Sequence, residues 1–199
     1  SAASDVYKRQ AQGIGKSIVE RFAADGAIVY ACDRTEGSMD EWVKDCMVRN
    51  GVRVFPLYFD VMDAAAVKFA FMSIFKQEGR IDVLVNNAGL VIGVDKEFEG
   101  NLDEWDVVID TNIKALLAIT RLVVPGMVER GRGHIINIGS IAGDAAYPGG
   151  SVYCATKAAV KALSDGLRID LVDTPLRVTN VKPGMVETNF TVVRYRGDK

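Results

Sequence analysis

Short apolar runs and longer stretches of helical period take turns along most of this chain, and that alternation limits its fold more than any other feature. Residues 27–32, 52–58, 83–86, 134–138 and 177–181 are β-branched, continuous apolar runs. Between them, residues 14–24, 38–49, 64–77, 102–127 and 152–171 carry helical periodicity. Continuous rather than alternating strand runs imply burial on both faces. The pattern therefore predicts an α/β fold: a doubly wound parallel sheet, the Rossmann fold, with helices on both faces. In such folds ligands sit at the carboxyl ends of the strands. The motifs that carry chemistry fall just after strands here.

The two ends depart from this plan. Before Gly13 a doubly wound domain needs its first, central strand, yet residues 1–10 read SAASDVYKRQ, polar and charged. The expectation is a foreign or disrupted segment over 1–11 and one oxidoreductase-type domain over 12–199, with its first strand altered and its carboxyl-terminal end truncated. A length of 199 residues, 49% of them hydrophobic, suits one domain with a sizeable core. A formal net charge of -2 with no basic excess argues against nucleic acid as a partner. The apolar runs are too short to cross a membrane. Cys32, Cys46 and Cys154 are scattered without metal or disulfide spacing, so a cytoplasmic protein without a metal site is expected. The lone His134 reads as a residue leading into a strand.

Gln12-Gly13-Ile14-Gly15 opens the first helix. Glycine lets backbone approach a pyrophosphate, and the helix amino end offers free N–H groups. The second strand ends at Asp33, near the spacing at which an acid accepts adenosine ribose hydroxyls. That carboxylate would repel a 2′-phosphate and favours NAD; Arg34, next in line, can pair with that phosphate. Asp60 and Val61 end the third strand and are placed to border the adenine. Asn86-Asn87-Ala88-Gly89 ends the fourth, where Asn87, Ala88 and Gly89 are small or amide-bearing enough to let a cofactor lie flat.

Tyr153-Cys154-Ala155-Thr156-Lys157 begins a predicted helix, so Tyr153 and Lys157 share a face at i and i+4. A free tyrosine has a pKa of about 10. A nearby ammonium and a positive nicotinamide ring favour its phenolate. Tyr153 then exchanges a proton with an alcohol or carbonyl, and Lys157 is free to bond the nicotinamide ribose. Ser140, after the strand 134–138, is placed to hold the substrate oxygen beside Tyr153. Asn112 sits within the long fourth helix, where its amide can hold water and relay protons from Lys157.

In this order these motifs resemble the short-chain dehydrogenase/reductase family, from about Gln12 to Lys199: GIG at 13–15, NNAG at 86–89, Asn112, Ser140, YCATK at 153–157 and PG at 183–184. The resemblance implies a catalytic tetrad of Asn112, Ser140, Tyr153 and Lys157. It also implies that Pro183, Gly184, Val186 and Thr188 close on the nicotinamide. LVVPGMVERGRGHIINIGSIAGDAAYPGGSVYCATKAAV and VETNFTVVRYRGDK are similar to the NADP-dependent 3-hydroxy acid dehydrogenases, which include serine 3-dehydrogenases. That likeness implies hydride transfer between NAD or NADP and a small 3-hydroxy acid or serine. Ser140 and Tyr153 would hold the substrate, with Arg194 or Arg196 clamping its carboxylate. A 3-oxoacyl thioester or sugar substrate, or an inactive nucleotide-binding fragment, are the alternatives. The likeness also implies a homodimer or homotetramer built on helices 102–127 and 152–171, with Val123, Val124 and Val128 as apolar residues beyond a narrow stripe. The chain departs from the family at the first glycine of the turn, which falls on Arg9, at Asp33, where NADP users carry a small neutral residue, and in its length.

Overall fold

A computed structural model of the protein describes residues 13–184 apart from Val52. The order is α1 (Ile14–Ala24), β1 (Val29–Asp33), α2 (Asp40–Asn50), β2 (Val54–Tyr58), α3 (Ala64–Glu78), β3 (Val83–Asn86) and α4 (Leu102–Ile109). A π turn (Asp110–Lys114), α5 (Ala115–Arg130), β4 (His134–Ile138), a 3₁₀ turn (Ile141–Gly143), α6 (Ser151–Asp170) and β5 (Arg177–Val181) follow. All strand pairs are parallel: β1 with β2, β3 with β4, and β4 with β5. The α/β alternation read from the sequence is the architecture. His134 is the first residue of β4.

The helix boundaries have local causes. The Asp63 side chain accepts the N–H groups of Ala65 and Ala66 and starts α3; the Asn101 side chain accepts those of Asp103 and Glu104 and starts α4. Gly79 and Gly131, both left-handed, end α3 and α5.

Three findings bear on the expectations. First, among the described residues the sheet comes as two pieces, β1–β2 and β3–β4–β5; the central strand expected before Gly13 falls outside the described residues. The core divides with it. Ala23, Ala31, Met39, Val43, Cys46 and Val54 pack around the first piece. Val67, Phe71, Leu84, Ile119, Val123, Val124, Met127 and Ile135 pack around the second. Second, β5 alternates between exposed and half-buried instead of being covered throughout; among the described residues it borders only β4. Third, the single helix expected over 102–127 is two helices joined by the π turn. Val123 and Val124, expected at an interface between copies, lie in the core at 1% and 7% exposure, whereas Val128 is exposed. Helical period alone cannot tell a core stripe from an interface stripe on so apolar a helix. The calls on residues 1–12 and on Val186, Thr188, Arg194 and Arg196 lie outside the described residues.

Candidate active site

The residues singled out in the sequence gather at the carboxyl ends of the strands. Gly13 opens α1 with φ 77° and ψ -136°, a conformation that favours glycine over any residue with a Cβ. Two residues on, a Cβ on Gly15 would lie 2.7 Å from Asn87 Nδ2. The first turn of α1, with Ile14 half-buried in it, therefore abuts the loop after β3. A glycine-only helix start with free N–H groups suits a pyrophosphate, so the residues present fit a dinucleotide.

At the ends of β1 and β2 the acid and base calls meet. Asp33 is buried, and its Oδ1 accepts the Thr35 N–H at 2.8 Å. Burial pushes its carboxyl pKa upward, while backbone N–H groups of Thr35 and Arg34 and the Arg34 charge oppose the rise. The Arg34 guanidinium reaches Asp60 at 3.6 Å, so it is engaged with a carboxylate across the strand ends. Val61 packs, partly buried, against the larger core cluster. That placement makes it a wall of the core as much as a border for an adenine.

The loop after β3 leads into the reactive centre. A Cβ on Gly89 would lie 3.2 Å from Lys157 Nζ and 3.4 Å from Asn112 Oδ1, so only glycine sits easily there; Ala88 beside it is exposed. Asn112 is 2% exposed. Its Oδ1 accepts the Leu90 N–H at 2.8 Å, and its Nδ2 donates to Leu90 O at 2.9 Å and Thr156 Oγ1 at 3.0 Å. The π turn aims the amide inward. The amide ties the β3 loop to α6, with both Nδ2 protons in use.

Tyr153 and Lys157 share one face at the start of α6, with Lys157 Nζ 5.8 Å from the Tyr153 ring centroid. Both are buried. Lys157 Nζ donates to Ile138 O at 2.8 Å, a partner the sequence did not suggest. Burial brings its pKa down to about 8, which leaves the ammonium charged at neutral pH. Ser140 follows β4, half-buried, and its Oγ accepts the Ala142 N–H at 3.1 Å. That bond leaves the hydroxyl proton available to donate. A Cβ on Gly143 would fall 2.7 Å from the Lys157 carbonyl, so the Ser140 turn lies directly on α6. Pro183 and Gly184 run alongside it: Ile141 N donates to Pro183 O at 3.2 Å, and Lys182 Nζ contacts both Asp144 oxygens at 2.9 and 3.0 Å.

Sequence reasoning missed several residues. Thr156, inside YCATK, donates to Tyr153 O at 2.8 Å and receives Asn112. Asn86, Asn137 and Ser164 form a buried polar chain behind the site. Asp95, Glu97 and Trp105 line a cleft with Tyr153, of about 360 Å³ counting space open to solvent. The NNAG and YCATK motifs contain Asn86 and Thr156. The others are ordinary polar residues whose meaning comes from what they face.

A glycine-started helix at the strand ends, leading to a buried Tyr–Lys pair, is the build of a dinucleotide-binding α/β oxidoreductase. The chain belongs to the short-chain dehydrogenase family: the family profile, "short chain dehydrogenase", matches residues 9–198. It is 46% identical over 187 residues to the NADP-dependent 3-hydroxy acid dehydrogenase of Salmonella typhi, a match spanning 94% of this chain and 74% of that one. Its fold is similar to the closed form of a serine dehydrogenase complexed with NADP+, with a TM-score of 0.85 and 42% identity over 94% of this chain and 74% of that one. It is also similar to serine dehydrogenase from Escherichia coli, with a TM-score of 0.81 and 41% identity over 92% and 84%. No helix among the described residues is long and apolar enough to cross a membrane.

Proposed function

We propose that the protein transfers a hydride between a nicotinamide cofactor and a small 3-hydroxy acid or serine, acting as one domain over residues 12–199. The observation that carries this reading is the buried Tyr153–Lys157 pair, with Lys157 anchored to Ile138 O and Gly89 close to both Lys157 and Asn112. The relatives' names supply the substrate class. Gly13, Ile14, Gly15, Asn87, Ala88 and Gly89 would hold the phosphates and nicotinamide ribose, with Tyr153 and Lys157 at the ribose. Asp33, Arg34, Asp60 and Val61 would hold the adenosine end. By the family likeness, Pro183, Gly184, Val186 and Thr188 would cover the nicotinamide.

When bound, the nicotinamide supplies the hydride acceptor or donor. In oxidation, Tyr153 as phenolate takes the hydroxyl proton while the carbon gives up its hydride and becomes a carbonyl; reduction runs the same steps backward. The charged Lys157 favours that phenolate, and the Ser140 hydroxyl donates to the substrate oxygen. Asn112 holds the β3 loop against α6. By the likeness of its sequence segment, Arg194 would pair with the substrate carboxylate. The cleft beside Tyr153 is lined by Asp95, Glu97 and Trp105. Its two carboxylates, Asp95 and Glu97, favour a substrate carrying an ammonium group, as serine does.

NADP is supported by the relatives, and NAD by the carboxylate of Asp33. We place the protein in the cytoplasm, as a homodimer or homotetramer. Exposed Leu117 and Val128 on α5 support an interface between copies, and light scattering that finds only monomer at high concentration would refute it. The central test is Tyr153→Phe with serine and 3-hydroxypropanoate as substrates. The expected result is loss of turnover with cofactor affinity largely kept. Near-parental turnover removes Tyr153 from the mechanism.

A further inference from the structure

Behind the site runs an unbroken buried chain of side-chain hydrogen bonds. Asn86 Nδ2 donates to Thr120 Oγ1 at 3.2 Å and to Asn137 Oδ1 at 2.9 Å. Asn137 Nδ2 donates to Ser164 Oγ at 2.9 Å, and Ser164 Oγ donates to Val160 O at 2.7 Å. Asn137 is 1% exposed and Ser164 is fully buried. Asn137 and Ser164 each have a donor and an acceptor role fixed by their neighbours, so this part of the chain has one direction.

Its placement is what matters. Asn86 is the last residue of β3, ahead of the loop that meets Gly15 and Lys157. In the strand register Asn86 lies opposite Asn137, and Asn137 opposite Asn180. Asn137 directly precedes Ile138, whose carbonyl accepts Lys157 Nζ. Ser164 follows Lys157 by two helical turns on the same face of α6. The end of β4 and α6 are therefore joined twice, by Asn137 to Ser164 and by Lys157 to Ile138 O. The first bond sets the height of the helix along the strand, and that height sets where the second leaves the ammonium relative to Tyr153.

We propose that Asn137 and Ser164 are positioning residues: their bond fixes α6 along β4 so that Lys157 is held where it promotes the Tyr153 phenolate. This rests on the Tyr153–Lys157 reading above and adds residues that touch neither substrate nor cofactor. A purely scaffolding role would lower stability and scale the rate equally at every pH. A positioning role moves the pH at which Tyr153 becomes a base, because an ammonium that drifts from the ring lowers the phenol pKa less.

The test is Ser164→Ala, compared with Ser164→Thr and with Thr120→Val. The last removes a bond at the α5 end of the same chain without touching the β4–α6 link. For NADP-linked oxidation of serine and of 3-hydroxypropanoate, the acid limb of kcat/KM in Ser164→Ala should move up by about half to one pH unit. That shift corresponds to a roughly three- to tenfold loss on the limb. Ser164→Thr should restore the parental limb, and Thr120→Val should leave it in place. In parallel, labelling of Lys157 by acetic anhydride, followed by mass spectrometry as a function of pH, should titrate higher in Ser164→Ala, because a loosened contact admits water to the ammonium. An unmoved limb and an unmoved labelling curve overturn the proposal, whatever the melting temperature does; so does an equal shift in Thr120→Val. If the parent turns over neither substrate, the substrate reading fails, and the labelling curve alone decides for or against the positioning role. Should Ser164→Ala not fold, Ser164→Cys keeps the volume with a weaker hydrogen-bond partner and is read in the same way.

Discussion

Replacing Asn112 with alanine separates two roles for that residue. Its carboxamide makes three buried hydrogen bonds, at 2.8, 2.9 and 3.0 Å, to Leu90 N, Leu90 O and Thr156 Oγ1. Leu90 and Thr156 are themselves 3% and 1% exposed, so the substitution strands groups that bulk water does not reach. Each buried group left unpaired costs about 1–3 kcal/mol, and a water entering the space the amide leaves would recover part of that. The expected loss is about 4 kcal/mol, or a fall in Tm of about 8–16 °C for a domain of this size. Asn112→Asp should fall by a comparable amount. It keeps the acceptor for Leu90 N–H but turns a carboxylate oxygen toward Leu90 O. Thermal and guanidinium unfolding followed by circular dichroism measure both. Activity should fall as well, since Gly89 is spaced between Asn112 and Lys157. A Tm within about 2 °C of the parent, combined with lost turnover, would refute this reasoning. Asn112 would then act on the proton path and not as a tie.

Three further outcomes follow from the same geometry. Lys157 titrates near 8 when folded and near 10.5 when exposed. Between those values the unfolded chain binds more protons, so stability should rise with pH across that window by up to ~3 kcal/mol. Denaturant titrations from pH 7.5 to 10.5 check this, and the rise should vanish in Lys157→Met. Gly15→Ala places a Cβ 2.7 Å from Asn87 Nδ2. It should weaken cofactor binding by about tenfold or more, roughly 1.4 kcal/mol, by fluorescence titration; unchanged affinity would mean that the turn does not carry the pyrophosphate. Asp33→Gly should move kcat/KM selectivity toward NADP by about tenfold, the order expected when a like charge is removed beside the 2′-phosphate position. No movement would show that Arg34, already engaged with Asp60, sets the preference.

The sequence by itself determined the order of elements, and it marked the positions proposed to carry the chemistry. Alternating apolar runs and helical periods are local signals, and so is the i, i+4 spacing of Tyr153 and Lys157; both are legible without a fold. Strand runs at 83–86, 134–138 and 177–181 coincide with β3, β4 and β5. The likeness carried by GIG, NNAG and YCATK reached the family to which the chain belongs.

What the tertiary structure decided is which groups face each other. No periodicity reveals that a π turn interrupts the helix at Asp110–Lys114, because one extra residue in a turn changes direction without changing composition. Nothing in the string tells that Lys157 bonds Ile138 O, or that Val123 and Val124 point into the core while Val128 does not. Asn86, Asn137 and Ser164 lie far apart in sequence and read as unremarkable polar residues. Only the parallel register of β3 and β4, with α6 laid across them, brings their short side chains within hydrogen-bond reach. Backbone preference and spacing are properties of neighbours along the chain. Burial and pairing are properties of neighbours in space, and those exist only once the elements have packed.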